Sequence, residues 1–160
     1  MGELRIRRAK IEDHQSLRGL YEELDGLHRA RASWLFKEPE RDSRPESYFQ
    51  EMLEDGETEV LLAEGVGCVG LAKVVMRWTP NFPLYVRQRY AVIDELVVRS
   101  EKRRAGVGRE LCEACESWAR KQGARWVQLD VFSFNEGAVS FYGECGYEPV
   151  QVRMQKKLMG

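Results

Sequence analysis

Asp94-Glu95-Leu96-Val97-Val98-Arg99-Ser100-Glu101-Lys102-Arg103-Arg104-Ala105-Gly106-Val107-Gly108-Arg109-Glu110-Leu111 is the stretch from which the fold is read. An apolar strand feeds a basic turn containing glycines, and the turn opens a helix. Such a turn suits a phosphate group. Gly106 and Gly108 let the backbone approach a ligand closely. The first amides of the following helix lack intrahelical acceptors and carry the positive end of its dipole. Arg103, Arg104 and Arg109 supply counter-charge, with Ala105 and Val107 completing the loop.

The spacing Arg103-x-x-Gly106-x-Gly108 separates this loop from two better-known phosphate binders. A dinucleotide fingerprint needs glycine at 111, where Leu111 stands, and a P-loop needs Gly-Lys-Ser/Thr. An ordinary strand-to-helix connection uses the same glycines for turn geometry alone, so context has to decide. It comes from Gln128-Leu129-Asp130-Val131-Phe132-Ser133-Phe134-Asn135-Glu136-Gly137-Ala138-Val139-Ser140-Phe141-Tyr142-Gly143-Glu144-Cys145-Gly146-Tyr147, which reads as strand, turn, short helix and turn. The loop spacing resembles the acetyl-CoA signature Arg/Gln-x-x-Gly-x-Gly/Ala of the GCN5-related N-acetyltransferases. The downstream run resembles the same family's Asn-x-x-Ala-x-x-x-Tyr followed by Gly-Phe/Tyr, with Asn135, Ala138, Tyr142, Gly146 and Tyr147 matching position by position. The resemblance is close from Tyr90 to Leu158. Upstream it holds in layout, without a diagnostic residue.

The resemblance implies an α/β fold: a mixed, mostly antiparallel sheet of about six or seven strands flanked by about four helices and splayed at the acetyl-CoA site. It implies an acetyl-CoA-dependent N-acetyltransferase, an acyltransferase in which a primary amine attacks the bound thioester directly. Leu96, Val97 and Val98 match the strand whose backbone pairs with the pantetheine arm, and one N–H there would polarise the thioester oxygen. Arg103, Arg104, Ala105, Gly106, Val107, Gly108 and Arg109 match the pyrophosphate loop. Tyr142 matches the general acid beside the cofactor sulfur; a phenol stays protonated at neutral pH and is close in basicity to the departing thiolate. Asn135 either bonds the cofactor arm or caps the short helix. Asp94, or else Glu95 or a water chain, would take the amine proton; neighbouring strand residues point to opposite faces, so one of the two carboxylates is expected in the cleft. A route through an acyl-cysteine would fall to Cys145, the nearest cysteine by sequence. A non-catalytic acyl-CoA sensor is the alternative outside enzymology, although its usual mark, loss of the tyrosine or glycines, is absent. A third reading, ATP or NAD binding, lacks its partner motifs.

Length and composition agree with one domain spanning 1–160: the chain has 160 residues, 43% of them hydrophobic. No run reaches the length of a membrane span, and Met1-Gly2-Glu3-Leu4-Arg5 lacks the basic-then-apolar pattern of a signal peptide, so a cytoplasmic location is expected. Lysine and arginine total 25 against 26 acidic residues, which leaves no global field for nucleic acid or an anionic membrane. The spacing Cys112-x-x-Cys115 falls in a helical pattern with Leu111 and Trp118 and without a second pair or a clustered histidine, so buried thiols rather than a metal or a disulfide are expected.

In the N-terminal half, Leu4 to Ala9 alternates as a strand, and Asp13 would cap a helix carrying Leu17, Leu20, Tyr21, Leu24 and Leu27. A second helix is expected over Glu46 to Glu54, then a hairpin turning at Gly65-Val66-Gly67. The aromatic-rich connection from Trp78 to Tyr90 reads as a substrate-lining or dimer-forming segment, or else as a surface loop packing its own side chains. Further on, a helix is expected at 107–122, a strand at 125–132, a short helix at 136–144 and a last strand near Val150 to Leu158. The acceptor stays open between small amine, polyamine, aminoglycoside, amino acid and protein N-terminus. Glu22, Glu23 and Asp25 offer an acidic patch that would attract a cationic amine, and Trp34, Phe36, Tyr48 and Phe49 are candidate pocket aromatics. Homodimerisation through the C-terminal strands, frequent in the family, also stays open.

Overall fold

The structure is a computed structural model that describes residues 2–160. It divides into two compact units, the first ending at Asp130 and the second being Val131–Gly160. In the first, strands β1 (Arg5–Arg8), β2 (Thr58–Gly65), β3 (Gly67–Trp78), β4 (Arg89–Val98) and β5 (Val127–Gln128) lie side by side in sequence order. The first three neighbouring pairs are antiparallel and β4–β5 is parallel. This is the mixed, mostly antiparallel α/β sheet expected, with five described strands where about six or seven were anticipated.

Helix placement follows the apolar patterns. Leu17, Leu20 and Tyr21 of α1 (His14–Arg31) and Phe49 and Met52 of α2 (Glu46–Glu54) form a core with Val60, Leu62, Leu71 and Val97 of the sheet. Each fully buried Leu or Phe there contributes roughly 1.5–3 kcal/mol. On the opposite face α3 (Val107–Lys121) buries Val107, Leu111, Cys112, Cys115 and Ala119. A Cβ added at Gly70 of β3 would lie 3.1 Å from a Leu111 methyl and 3.2 Å from the Val97 carbonyl, so this glycine sets how closely α3 approaches. Cys112 and Cys115 are thus core residues, and burial raises the Cys115 thiol pKa. No disulfide joins the cysteines among the described residues.

Three local expectations are corrected. Asp13 precedes α1 without capping it; its carboxylate accepts from the Lys10 amide at 2.7 Å and from both Arg7 terminal nitrogens at 2.8 Å, pinning the turn between β1 and α1. The strand expected over 125–132 shortens to β5, and no strand forms near Val150 to Leu158, whose apolar side chains are exposed. Alternation marks a face, but a strand also needs a partner edge for its hydrogen bonds, which the pattern does not specify. In the Trp78 to Tyr90 connection, whose role the sequence leaves open, Thr79 bonds the carbonyl of Val86 and the backbone of Gln88, while Phe82, Leu84, Tyr85 and Val86 are exposed.

In the second unit α4 (Glu136–Glu144) is delimited by the motif residues themselves. The Asn135 side chain accepts from the Ala138 amide at 3.2 Å, an N-cap. At the other end Gly146 sits at φ +93°, its N–H bonds the Gly143 carbonyl, and the Tyr147 N–H bonds the Tyr142 carbonyl. These are the two bonds of a Schellman cap, accompanied by its apolar contact, the Tyr142 and Tyr147 rings lying 5.8 Å apart.

Candidate active site

Strand β4 is longer than its outer neighbour. Strand β5 pairs with it only at Ala91 and Val92, so from Ile93 to Val98 the two part. The Arg99 amide bonds the Val69 carbonyl at 2.9 Å, which fixes the alternation: Arg99 and Val97 turn their polar groups toward β3, and Leu96 and Val98 turn theirs to the open edge. Of the three expected cofactor-arm positions, Leu96 and Val98 therefore turn backbone groups away from β3, although the Val98 carbonyl already accepts from Arg103. Val97 is packed in the core.

Beyond β4 the chain makes a 3-10 turn, Ser100–Lys102, and then enters left-handed backbone at Arg104 (φ 62°) and Gly106 (φ 84°). The first bond of α3 runs from the Glu110 amide to the Gly106 carbonyl at 3.1 Å, so the amides of Val107, Gly108 and Arg109 precede the hydrogen-bond ladder. Arg104, Ala105 and Arg109 are exposed. Arg103 folds back: its Nε donates to the Val98 carbonyl at 3.2 Å and its Nη2 lies 3.7 Å from Glu23. The positive end of α3, more than the Arg103 side chain, is what this loop would offer to an anion.

The two carboxylates depart from strand alternation. Opposite Lys73 and Val74 stand Glu95 and Ile93, so Asp94 is the extra residue of a β-bulge. The bulge turns both acids toward the face covered by α1 and α2, where alternation would have separated them. Asp94, about half exposed, pairs with Lys73 Nζ at 2.9 Å. Burial works against the Lys73 charge, but the hydrogen bond and charge of Asp94 prevail and its pKa is raised. Glu95 is largely buried and accepts from Arg44 at 3.1 Å; Arg44 also binds Asp25 at 2.7 Å and stacks 4.3 Å from the Tyr21 ring centre. Burial, then the charge of Glu95, raises the Tyr21 phenol pKa. Its hydroxyl and Glu95 Oε2 are buried without a hydrogen-bond partner. Beside Lys73 a groove of about 240 Å³ runs between the end of α2 and β3, with Glu51 and Arg77 at its walls.

The acidic patch on α1 is mostly spent inside the fold: Glu23 holds the loop after β4, Asp25 holds Arg44, and Glu22 remains exposed near Arg29. Of the candidate pocket aromatics, Phe49 is core, Phe36 stacks on His28, and Trp34 and Tyr48 are exposed. Lys73 and Arg44 escaped the sequence reading. A lone lysine inside the apolar run Cys68 to Met76 was a usable signal for the first; nothing local marked the second. Tyr142 is half-buried in its own unit, in ring contact with Phe141 and Tyr147. Among the described residues no group of three or more His, Cys, Asp or Glu is arranged to hold a metal, and no helix is long and apolar enough to cross a membrane.

The family model for the acetyltransferase (GNAT) family matches residues 12–147. An uncharacterised N-acetyltransferase of Bacillus subtilis (strain 168), YhfO, is 27% identical over 146 residues, 91% of this chain and 90% of that protein. Two solved structures share the fold. A mutant of the BH1408 protein from Bacillus halodurans superposes with a TM-score of 0.91 at 24% identity, covering 97% of this chain and 99% of that one. The aminoglycoside N-acetyltransferase AAC(6')-Iy, solved in complex with CoA, superposes with a TM-score of 0.74 at 18% identity, covering 99% and 97%. With the phosphate-type loop, the open β4 edge and the capped tyrosine helix in place, the match over most of the chain makes this protein a member of the GNAT acetyltransferase family, an acyltransferase.

Proposed function

We propose that the chain acts as one catalytic unit moving an acetyl group from acetyl-CoA to a primary amine. The carrying observation is the continuity of β4: a backbone edge at Leu96 and Val98 turned away from β3 leads directly into left-handed backbone and the first turn of α3, whose amides precede its hydrogen-bond ladder. An amide-bearing arm pairs with the edge as an added strand, and its pyrophosphate meets the helix N-terminus. The CoA complex of a fold relative supports this reading.

Asp94 takes the amine proton, directly or through water, because it is the more exposed of the two carboxylates at the bulge. Glu95, tied to Arg44, holds the wall of the acceptor side. The deprotonated nitrogen bonds to the acetyl carbon, the carbon–sulfur bond breaks, and Tyr142 gives its proton to the departing thiolate, to be reprotonated from solvent. A phenol close in basicity to a thiol makes that transfer nearly balanced. Tyr142 rests on its motif position and on a helix whose two caps fix it. No acyl-enzyme is required, so a Cys145→Ala variant keeps full turnover.

Thiol release from acetyl-CoA, measured with polyamines, aminoglycosides, amino acids and N-terminal peptides, tests the assignment. Release stimulated by one class identifies the acceptor. CoA binding with no release across the panel would turn the assignment toward an acyl-CoA sensor.

A further inference from the structure

Glu23 lies on α1, far in sequence from the loop it touches. Its Oε2 accepts from the Ser100 amide at 3.1 Å, the first N–H of the 3-10 turn that follows β4. Its two oxygens also face Arg99 at 3.9 Å and Arg103 at 3.7 Å. One helical turn earlier, Gly19 also faces Arg99: a Cβ there would stand in ordinary contact, 3.5 Å from both terminal guanidinium nitrogens. Gly19 and Glu23, four residues apart, thus put one face of α1 against the same arginine. Arg99 in turn donates to the Cys68 carbonyl at 2.8 Å, and Arg103 to that of Val98.

The loop packs Arg99, Lys102, Arg103 and Arg104 into six residues, and Arg104 holds left-handed backbone without being glycine. Mutual repulsion and that strained residue both work against the shape in which the amides before α3 converge. The Glu23 carboxylate opposes both, by binding the amide at the start of the turn and neutralising the two arginines that face inward.

We propose that Glu23 is a positioning residue for the cofactor: a clasp from α1 that pre-forms the phosphate loop. The proposal rests on the reading of that loop as the acetyl-CoA site. Glu23 touches no reacting atom, so removing it raises the cost of ordering the loop when CoA binds and leaves the chemical step alone. Freed Arg99 and Arg103 gain only exposed phosphate contacts, which are weak, whereas the lost bond from a backbone N–H to a charged acceptor is among the stronger kinds.

Binding of CoA is titrated calorimetrically to the wild type and to Glu23→Ala, Glu23→Gln, Ser100→Pro and Glu22→Ala, alongside melting of each protein without ligand. Ser100→Pro deletes the same hydrogen bond from the donor side at a turn position that tolerates proline, and it covers the case in which Glu23→Ala does not fold. The expected result is a Kd for CoA raised about 5- to 10-fold in Glu23→Ala and Ser100→Pro, and raised no further in a protein carrying both substitutions, titrated in the same way. Glu23→Gln, whose amide oxygen still accepts from Ser100 but no longer neutralises Arg99 and Arg103, falls between the wild type and Glu23→Ala, and Glu22→Ala is unchanged. With acetyl-CoA saturating, kcat in Glu23→Ala stays within about twofold while the acetyl-CoA KM rises. Unchanged CoA affinity in Glu23→Ala and Ser100→Pro overturns the clasp and leaves the cofactor reading standing; no CoA binding by the wild type overturns both.

Discussion

Asp94 and Glu95 are adjacent in sequence and meet different partners, Lys73 and Arg44, on the α1–α2 face to which a single extra residue in β4 brings both. Asp94→Asn is expected to lower kcat/KM about 10- to 100-fold at neutral pH, with the gap to wild type closing as pH rises toward the amine's own pKa. A deficit that stayed constant with pH would remove Asp94 from the proton path. Glu95→Gln weakens a mostly buried charge-assisted contact to Arg44, so a loss of about 1–3 kcal/mol in unfolding free energy is expected, with the pH dependence of turnover kept. Denaturant titration separates the two effects. Tyr142→Phe should cut kcat about 100-fold while CoA affinity holds, because the phenol acts only as the thiolate leaves. Unimpaired turnover in that variant would assign the proton to water.

At the scale of elements, the residues that flank Tyr142 in its motif start and stop a helix. Asn135 opens α4, and Gly146 with Tyr147 closes it, so the tyrosine between them stands on a helix of nine residues held at both ends. Asn135→Ala should cost about 1 kcal/mol of stability through the lost cap and leave CoA affinity unchanged. A fall in CoA affinity without loss of stability would instead give Asn135 a role on the cofactor arm. The sequence left those two roles open, since one amide side chain suits both, and only the bond to Ala138 shows the cap.

For the molecule as a whole, acid stability draws on the corner where β1, β2 and the start of α1 meet and on the turn that leads into β2. The Arg7 hydrogen bond holds the carboxyls of Asp13 and Glu64 below their ordinary values, and the Thr58 hydroxyl does the same for Asp55. Folded values below unfolded ones mean a contribution fully present above the ordinary carboxylate values near about 4 and lost as pH falls through the depressed folded values. The melting temperature should therefore hold from pH 7 to about 5 and drop below about 4, and Asp13→Asn should flatten that drop. An Asp13→Asn protein with an unchanged acid limb would place the sensitivity elsewhere.

The sequence by itself determined the helices α2, α3 and α4, the β2–β3 hairpin, the phosphate-type loop and the family, because periodicity, glycine spacing and caps act over a few residues and are written locally. Tertiary structure alone decided that Asp94 occupies a bulge, that Glu23 and Asp25 are spent on arginines, that Lys73 and Arg44 partner the two acids, and that Val150 to Leu158 forms no strand. Each of those depends on which distant edge or charge a residue meets, and in a single chain that is set by packing across the sheet, which no local pattern records.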